Sequence, residues 1–249
     1  MFLIINNIES NKLTKKYKNP PLILVKSKIW WHINSQDDFN YSKIISGLLF
    51  GYLSEIEESI EVIQVNNGEV LKSTFVNQND KLEIIYECGS NEVSVVTTDG
   101  NYSWEYYYEK VTSVFDFILS FLESKLKTDH IHASLEYQDF FESQDNIRSY
   151  SDILKSLKVN LTFPIFSNPK DVFLSFNTIE NDLNVSTSFI SFKYNQNSGI
   201  KMTLKVDSDK IYNFNENTHD WFNKSHEYCS KTFEQIIEGE IKNNLDYAE

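Results

Sequence analysis

The residues best suited to chemistry in this 249-residue sequence are its histidines and the carboxylates near them. His130 and His132 stand two positions apart, so on a strand both side chains point the same way. Together with Asp129 or Asp139 they could bind a metal ion. No further Cys or His lies nearby in the sequence. Surface histidines at the start of a strand are therefore the favoured interpretation.

His226 stands on a predicted C-terminal helix, with Asp220 and Glu227 close to it in the sequence. A histidine beside a carboxylate can act as a general base. Because no nucleophile motif accompanies it, we favour a structural role in packing the helix on a sheet. Asp207 and Asp209 could hold Mg²⁺ or Ca²⁺, but their loop lacks the glycine and further oxygen ligands of a calcium site. A solvated turn is favoured there.

A third group of candidates is aromatic. Trp104 opens a predicted helix that continues through Tyr106–Tyr108, and Tyr137 lies on the strand that follows. Such rings can stack on a ligand, although the helical spacing turns some of them into the core. We select Trp104, Tyr107, Tyr137 and His226 as candidate partner- or ligand-binding residues. We select no catalytic residue, metal ligand or cofactor, because glycine-rich phosphate loops, Gly-x-Ser-x-Gly and zinc knuckles do not occur.

Charge narrows the class of partner. The chain has 23 Lys and Arg against 36 Asp and Glu, a formal net charge of −13. A field of this sign repels phosphate backbones, so direct nucleic-acid binding is not expected. The same field attracts basic proteins. The expected partner is therefore a protein, either from a neighbouring gene or a second copy of the chain.

Composition predicts a globular protein with a sizeable core, because 41% of the residues are hydrophobic and only 7 are Gly and 4 are Pro. Cys88 and Cys229 are expected to be free thiols of a reducing cytosol. The apolar start at 1–7 is short and lacks the charged leader of a signal peptide. No run approaches the ~18 apolar residues of a membrane helix. We therefore expect a cytoplasmic protein without a membrane span.

The spacing of apolar residues predicts an α+β fold. In the first half it predicts helices at 38–56 and 104–126 and strands at 22–33, 60–65, 70–76, 81–88 and 92–98. The strand at 22–33 ends with Trp30 and Trp31, which should point to opposite faces. Gly47 and Gly51 in the first helix are expected to allow close packing on a sheet, and Ser103 is expected to cap the second helix.

The second half repeats this order, with helices at 149–157 and 218–247 and strands at 131–141, 159–165, 172–177, 183–194 and 200–206. Each half is thus strand, helix, about four antiparallel strands and a long helix. Similar strings begin at Ser35 and Ser143, and the long helices begin with Trp104 and Trp221, at offsets of 108 and 117 residues. The two offsets predict an internal duplication.

The predicted organisation has three parts. Residues 1–18 form a flexible arm, 19–128 form the first α+β half and 129–249 form the second. The two halves are expected to pack as a pseudo-dimer, with helices against antiparallel sheets.

Several landmarks form a pattern that covers roughly residues 18–245. They are Asn-Pro-Pro at 19–21, Trp104 and Tyr107 in the central helix, Leu135 and Tyr137 on the next strand, Asp207 at a strand end, and His226 and Phe233 on the last helix. This pattern resembles a sporadically distributed prokaryotic family of uncharacterised proteins. Leu24, Glu136 and Gln138 depart from the family's usual residues, which argues against a catalytic role. The resemblance implies a prokaryotic origin and an antiviral-defence or toxin-related locus.

Two classes of function follow. The first is a non-enzymatic binding or regulatory protein, acting through a protein partner in such a locus. The alternative is an enzyme or small-ligand receptor, with a cavity between the long helices and the sheets. Because no catalytic motif is present, we favour the binding protein.

Overall fold

The computed structural model describes residues 21–32, 38–57, 60–66, 71–77, 84–89, 91–100, 102–126, 131–143, 149–159, 171–208 and 216–237. Several sequence predictions fall outside these ranges. They concern the arm at 1–18, most of the strand at 159–165, Asp129, His130, Asp209, and the last helix beyond residue 237.

The described residues form a mixed α+β protein with nine strands and four helices. In chain order the elements are β1 (Leu22–Trp30), α1 (Asp38–Ile56), β2 (Ile60–Asn66), β3 (Leu71–Asn77), β4 (Ile84–Cys88), β5 (Glu92–Thr97), α2 (Trp104–Leu126), β6 (His132–Glu142), α3 (Tyr150–Ser156), β7 (Phe173–Glu180), β8 (Leu183–Tyr194), β9 (Asn197–Asp207) and α4 (Glu216–Ile236). The predicted α+β class is confirmed, and most predicted elements lie within a few residues of the observed ones.

The strands build one antiparallel sheet in the order β2-β3-β4-β5-β1-β6-β9-β8-β7. The central pair is β1 with β6, in which Ser27 lies opposite Leu135. Outward from β1, the strands of the first half follow in the order β5, β4, β3, β2. Outward from β6, the strands of the second half follow in the order β9, β8, β7. The order of the described strands is therefore symmetric about the β1–β6 pair as far as β3 and β7.

Local sequence explains where several elements begin and end. Ser103 caps α2 as predicted, because its Oγ accepts the Tyr106 N–H at 3.5 Å. The two-residue turns at Asn181–Asp182 and Asn195–Gln196 have positive φ at both positions, and they join β7 to β8 and β8 to β9. Positive φ at both residues gives a hairpin the twist of its strands, and Asn and Asp tolerate it well.

The core lies between the sheet and the helices. Alternate residues of β1, Val25, Ser27 and Ile29, are fully buried on this side. Val25 and Ile29 belong to a continuous set of buried apolar side chains that includes residues from all four helices. Trp31 is also fully buried there, whereas Trp30 on the opposite face is half-buried. The two tryptophans thus point to opposite faces, as predicted.

The two long helices lie side by side across the middle of the sheet. Phe115 of α2 contacts Phe222 of α4 with ring centroids 5.6 Å apart. Asp116 accepts a hydrogen bond from His219 Nε2 at 2.9 Å. The helices therefore join the two halves of the chain in one layer.

The structure corrects two expectations about the helices. An added Cβ at Gly47 or Gly51 would meet nothing within 4 Å, and both glycines are exposed, so neither allows close packing on the sheet. α4 begins at Glu216, five residues before Trp221, so the offset of 117 residues does not compare two helix starts. Among the described residues, no helix is both long enough and apolar enough to cross a membrane.

Candidate functional site

The structure brings the four selected residues together where α2, β6 and α4 meet. The rings of Trp104 and His226 stack at 3.9 Å between centroids, with 6° between their planes. Tyr137 Oη lies 2.7 Å from His226 Nδ1. Tyr107 contacts Trp104 with a centroid separation of 6.0 Å. Trp104 and His226 are half-buried, while the two tyrosines are buried.

Tyr107 is anchored in the sheet. Its hydroxyl accepts the Ser27 N–H at 2.8 Å and donates to the Val95 carbonyl at 2.7 Å. The Ser27 hydroxyl lies 3.1 Å from the same oxygen. Since the side chain is fully buried, a ligand cannot reach it without unfolding. Tyr107 therefore positions α2 on β1 and β5.

A chain of hydroxyl groups continues from His226 into the interior. Tyr102 donates to Tyr137 at 3.2 Å, so the Tyr137 hydrogen is directed at His226 Nδ1. This arrangement puts the imidazole proton of neutral His226 on Nε2. Burial raises the pKa of Tyr102 and Tyr137 well above the usual range. Both phenols therefore stay protonated at neutral pH.

Asp139 and Cys229 complete this buried polar region, and sequence reasoning missed their role in it. Asp139 is only 4% exposed, and burial raises the pKa of its carboxyl group to about 7. The Asp139 charge acts on both Tyr102 and Cys229. The available signal was the strand period, because Asp139 lies two residues after Tyr137 and shares its face. The same alternation places Asp139 on the opposite face from His132, so these two residues do not meet at a metal site.

His226 is neutral at physiological pH. Desolvation lowers its pKa to about 4, although the Glu105 carboxylate opposes part of this effect. The influential carboxylate thus comes from α2, whereas Asp220 and Glu227, its neighbours in sequence, are exposed. We refer to His226, Tyr137, Tyr102, Asp139 and Cys229 as the buried polar cluster.

The buried polar cluster can hold a proton, but its thiol, Cys229, is not an activated nucleophile. Burial raises the pKa of the Cys229 thiol, with a further contribution from Asp139. A nucleophilic cysteine needs the opposite shift, since only the thiolate reacts. Within the described ranges, no three His, Cys, Asp or Glu side chains are grouped so as to hold a metal ion.

The remaining sequence candidates have ordinary surroundings. His132 stacks on Trp30 at 5.1 Å and meets the edge of His32 at 5.5 Å. Asp207 forms an ion pair with Lys205 at 2.7 Å. Both cysteines are free, as predicted, and both are buried.

The face of the sheet opposite the helices is a second candidate site. We call it the open face, because no described helix packs on it. At one end of the open face Trp30 stacks on His132. At the other end Phe140 contacts Tyr194 at 5.6 Å and Phe192 at 6.3 Å.

The middle of the open face is polar and locally neutral. Lys26 pairs with Glu87 at 2.6 Å, and Lys28 pairs with Glu92 at 3.3 Å. Gln138 donates to Glu136 at 2.5 Å. Two aromatic clusters therefore flank a strip of paired charges and amides.

Gly199 leaves room for the Phe140 ring on the open face. A Cβ at residue 199 would lie 2.3 Å from the Phe141 carbonyl oxygen and 2.7 Å from the Phe140 ring. The Phe140 ring therefore needs a glycine beneath it. An open groove of about 380 Å³ lies between β7 and β8, away from the buried polar cluster.

The fold and these two sites define an α+β protein with a helix layer on one side of a nine-stranded antiparallel sheet. No protein-family description, no curated protein and no solved structure matches the chain. The likeness to a prokaryotic family of uncharacterised proteins therefore stays an interpretation of its motifs.

Proposed function

We propose that the chain is a non-enzymatic binding or regulatory protein that acts through a protein partner, as a cytoplasmic component of a prokaryotic antiviral-defence or toxin-related locus. The observation that carries this proposal is the open face, with its aromatic clusters at both ends and paired charges between them. The locus rests on the sequence resemblance alone.

The size of the open face suits a protein better than a small molecule. His132 and Phe140 are eight residues apart on β6, a distance of roughly 26 Å along a strand. Stable protein interfaces cover ~800 Å² on each partner, which needs a surface of about this width. Aromatic side chains are also enriched in such interfaces relative to the rest of the protein surface.

Charge supports the choice of a basic partner. The whole chain carries a net charge of −13, which accelerates the approach of a positively charged protein. The ion pairs on the open face leave little net charge there, so shape and aromatic contacts would determine specificity after the encounter.

Native mass spectrometry of the chain expressed together with its adjacent genes tests the proposal. We expect a complex of defined stoichiometry with one basic neighbour. A chain that stays alone with every neighbour, and that hydrolyses a substrate with loss of turnover in His226→Ala, would contradict it.

One observation, the buried polar cluster, supports the alternative function of an enzyme or small-ligand receptor. Half-buried His226 connects through Tyr137 to the interior, beside a carboxyl group with a pKa of about 7. Between α2 and the sheet, however, the fully buried side chains of Val111 and Ile118 belong to the core. A screen of small molecules by thermal unfolding tests this alternative. A molecule that raises the melting temperature of wild type but not of Tyr137→Phe would support it.

We also propose that the two halves arose by duplication and form a pseudo-dimer of residues 19–128 and 129–249. The symmetric strand order and the neighbouring long helices support this idea. An experimental structure in which the two halves fail to superpose would contradict it.

A further inference from the structure

β7 is the last strand at one end of the sheet in the part of the chain described here. It exposes three large apolar side chains, since Phe173, Phe176 and Ile179 are 73%, 51% and 76% exposed. The strand contains no Lys or Pro, the residues that commonly protect an edge strand from pairing with another chain. Its only charge is Glu180 at the end of the strand.

The hydrogen-bond pattern shows which backbone groups of β7 point away from the sheet. The Val172 carbonyl accepts the Ser191 N–H at 2.9 Å, so Val172 is directed toward β8. In an antiparallel ladder this direction alternates along the strand. The backbone N–H and C=O groups of Phe173, Ser175, Asn177 and Ile179 therefore point outward.

We propose that β7 pairs antiparallel with β7 of a second copy of this chain, around a two-fold axis at Phe176. In this register Phe173 lies opposite Ile179 of the second copy, and Ser175 lies opposite Asn177. The two Phe176 rings face each other at the axis. All four outward-pointing residues then form hydrogen-bonded pairs, and the two sheets become one continuous sheet.

This register follows from the sequence of the strand. Moving the axis to Ser175 or Asn177 keeps the hydrogen bonds but places Phe173 or Ile179 opposite a polar residue or outside the paired segment. With the axis at Phe176, each exposed apolar side chain meets another apolar side chain. Glu180 then lies opposite Val172, so no charge faces a like charge. A two-fold contact of this kind is self-complementary, as homodimers require.

The dimer should be weak and salt-dependent. An eight-residue edge pair is small beside the ~1,200–2,000 Å² of stable interfaces, so we expect dissociation in the micromolar range. Each copy carries a net charge of −13. Salt screens the repulsion between the copies. The dimer fraction should therefore rise with ionic strength.

Two cysteine variants test the register. Phe176→Cys should form a disulfide-linked dimer under mild oxidation, because the two Cα atoms at the axis come within the 4.4–6.8 Å that a disulfide spans. Thr178→Cys, one step along the same strand face, should not, since its counterpart lies roughly 13 Å away. The native cysteines are buried and do not compete.

Sedimentation velocity of the full chain supplies the second measurement. Wild type should show a monomer–dimer equilibrium between about 1 and 100 micromolar. Phe176→Lys should weaken it at least ~10-fold while leaving the circular dichroism spectrum unchanged. A wild-type monomer throughout, as expected if residues 160–170 of the same chain cover β7, would overturn the proposal. So would equal cross-linking of both cysteine variants. Neither result bears on the two aromatic clusters of the open face, which lie on β1, β6 and β8.

Discussion

Among the described residues, each half of the chain contains one buried carboxyl group, and the two groups are stabilised differently. In the first half Glu57 is 8% exposed, and it accepts hydrogen bonds from Tyr86 at 2.7 Å and Lys110 at 2.8 Å. In the second half Asp139 is 4% exposed, and burial alone raises its pKa to about 7. The first half pairs its buried carboxylate with a cation, whereas the second half buries a carboxyl group that is about half protonated near pH 7.

The long helices show the same difference. α2 sends the Tyr107 hydroxyl between β1 and β5, where it bonds to backbone groups of the sheet. α4 instead places His226 on the side chain of Tyr137. The first contact is a fixed connection to the backbone, while the second joins groups that can exchange protons. The stability of the second half should therefore depend on pH.

The largest expected difference between the two halves is in the loss of stability when a tryptophan of a long helix is truncated. Trp104 contacts His226, Tyr107 and Tyr108, so Trp104→Ala should lower the free energy of unfolding by about 3 kcal/mol, at the low end for aromatic truncations because the side chain is half-buried. Trp221, its counterpart by sequence, contacts the adjacent Phe222, and Trp221→Ala should cost less. Urea titration of both variants measures the difference. Equal losses would mean that Trp104 does not connect the two long helices.

The next effect concerns pH. Because the pKa of Asp139 is raised to about 7, its stabilisation is present at low pH and is lost as pH rises from 4 to 7. Because the pKa of His226 is lowered to about 4, its contribution is present above pH 6.5 and is lost as pH falls toward 4. The two contributions oppose each other within this range.

Removing one group should reveal the other. In Asp139→Asn, stability should fall between pH 6.5 and pH 4 by on the order of 2 kcal/mol more than in wild type. In His226→Gln, the difference from wild type should have the opposite sign. Denaturant midpoints measured across this range provide the test. Parallel curves for all three proteins would show that neither group is buried as described.

The next expected effect comes from removing the hydroxyl groups of Tyr107 and Tyr137. Tyr107→Phe leaves a Val95 carbonyl and a Ser27 N–H without the hydroxyl, so we expect a loss of about 2 kcal/mol. Tyr137→Phe removes a bond to a half-buried histidine and should cost about 1 kcal/mol. Thermal unfolding ranks the two variants. The reverse order would mean that the second half depends more on its hydroxyl than the first.

The smallest expected effect is an increase in stability. Gly47 and Gly51 are exposed on α1 with open space around them, so replacing either with Ala should stabilise the protein by about 0.5–1 kcal/mol. Gly199→Ala serves as the contrast, since its Cβ would collide with the Phe141 carbonyl and should destabilise β9. A destabilising Gly47→Ala would show that α1 packs more closely there than the structure indicates.

The sequence predicted elements better than it predicted contacts. Helical spacing located α1 at Asp38–Ile56, and alternation located β8 at Leu183–Tyr194, because each pattern arises from a single face that must be buried. The pairing of β1 with β6, by contrast, joins strands about a hundred residues apart, and no local pattern specifies that contact.

The site shows the same limit. Trp104, Tyr107, Tyr137 and His226 were selected as aromatic or titratable residues, and the fold brings them together. Asp139 was considered only with the wrong histidines, because membership of the buried polar cluster depends on which helix covers which strand. The glycines of α1 were misjudged for a related reason: spacing along a helix does not reveal which face meets the sheet.

The proposal that the open face binds a protein partner can be tested most directly with two exposed aromatic residues. Tyr194 on the open face is 37% exposed, and Phe50 on α1, on the helix side, is 44% exposed. Once the partner is purified, calorimetric titration should show at least ~10-fold weaker binding for Tyr194→Ala, as for an aromatic residue that anchors an interface. Binding should be unchanged for Phe50→Ala. Weaker binding for Phe50→Ala with none lost for Tyr194→Ala would place the partner on the helices and contradict the account.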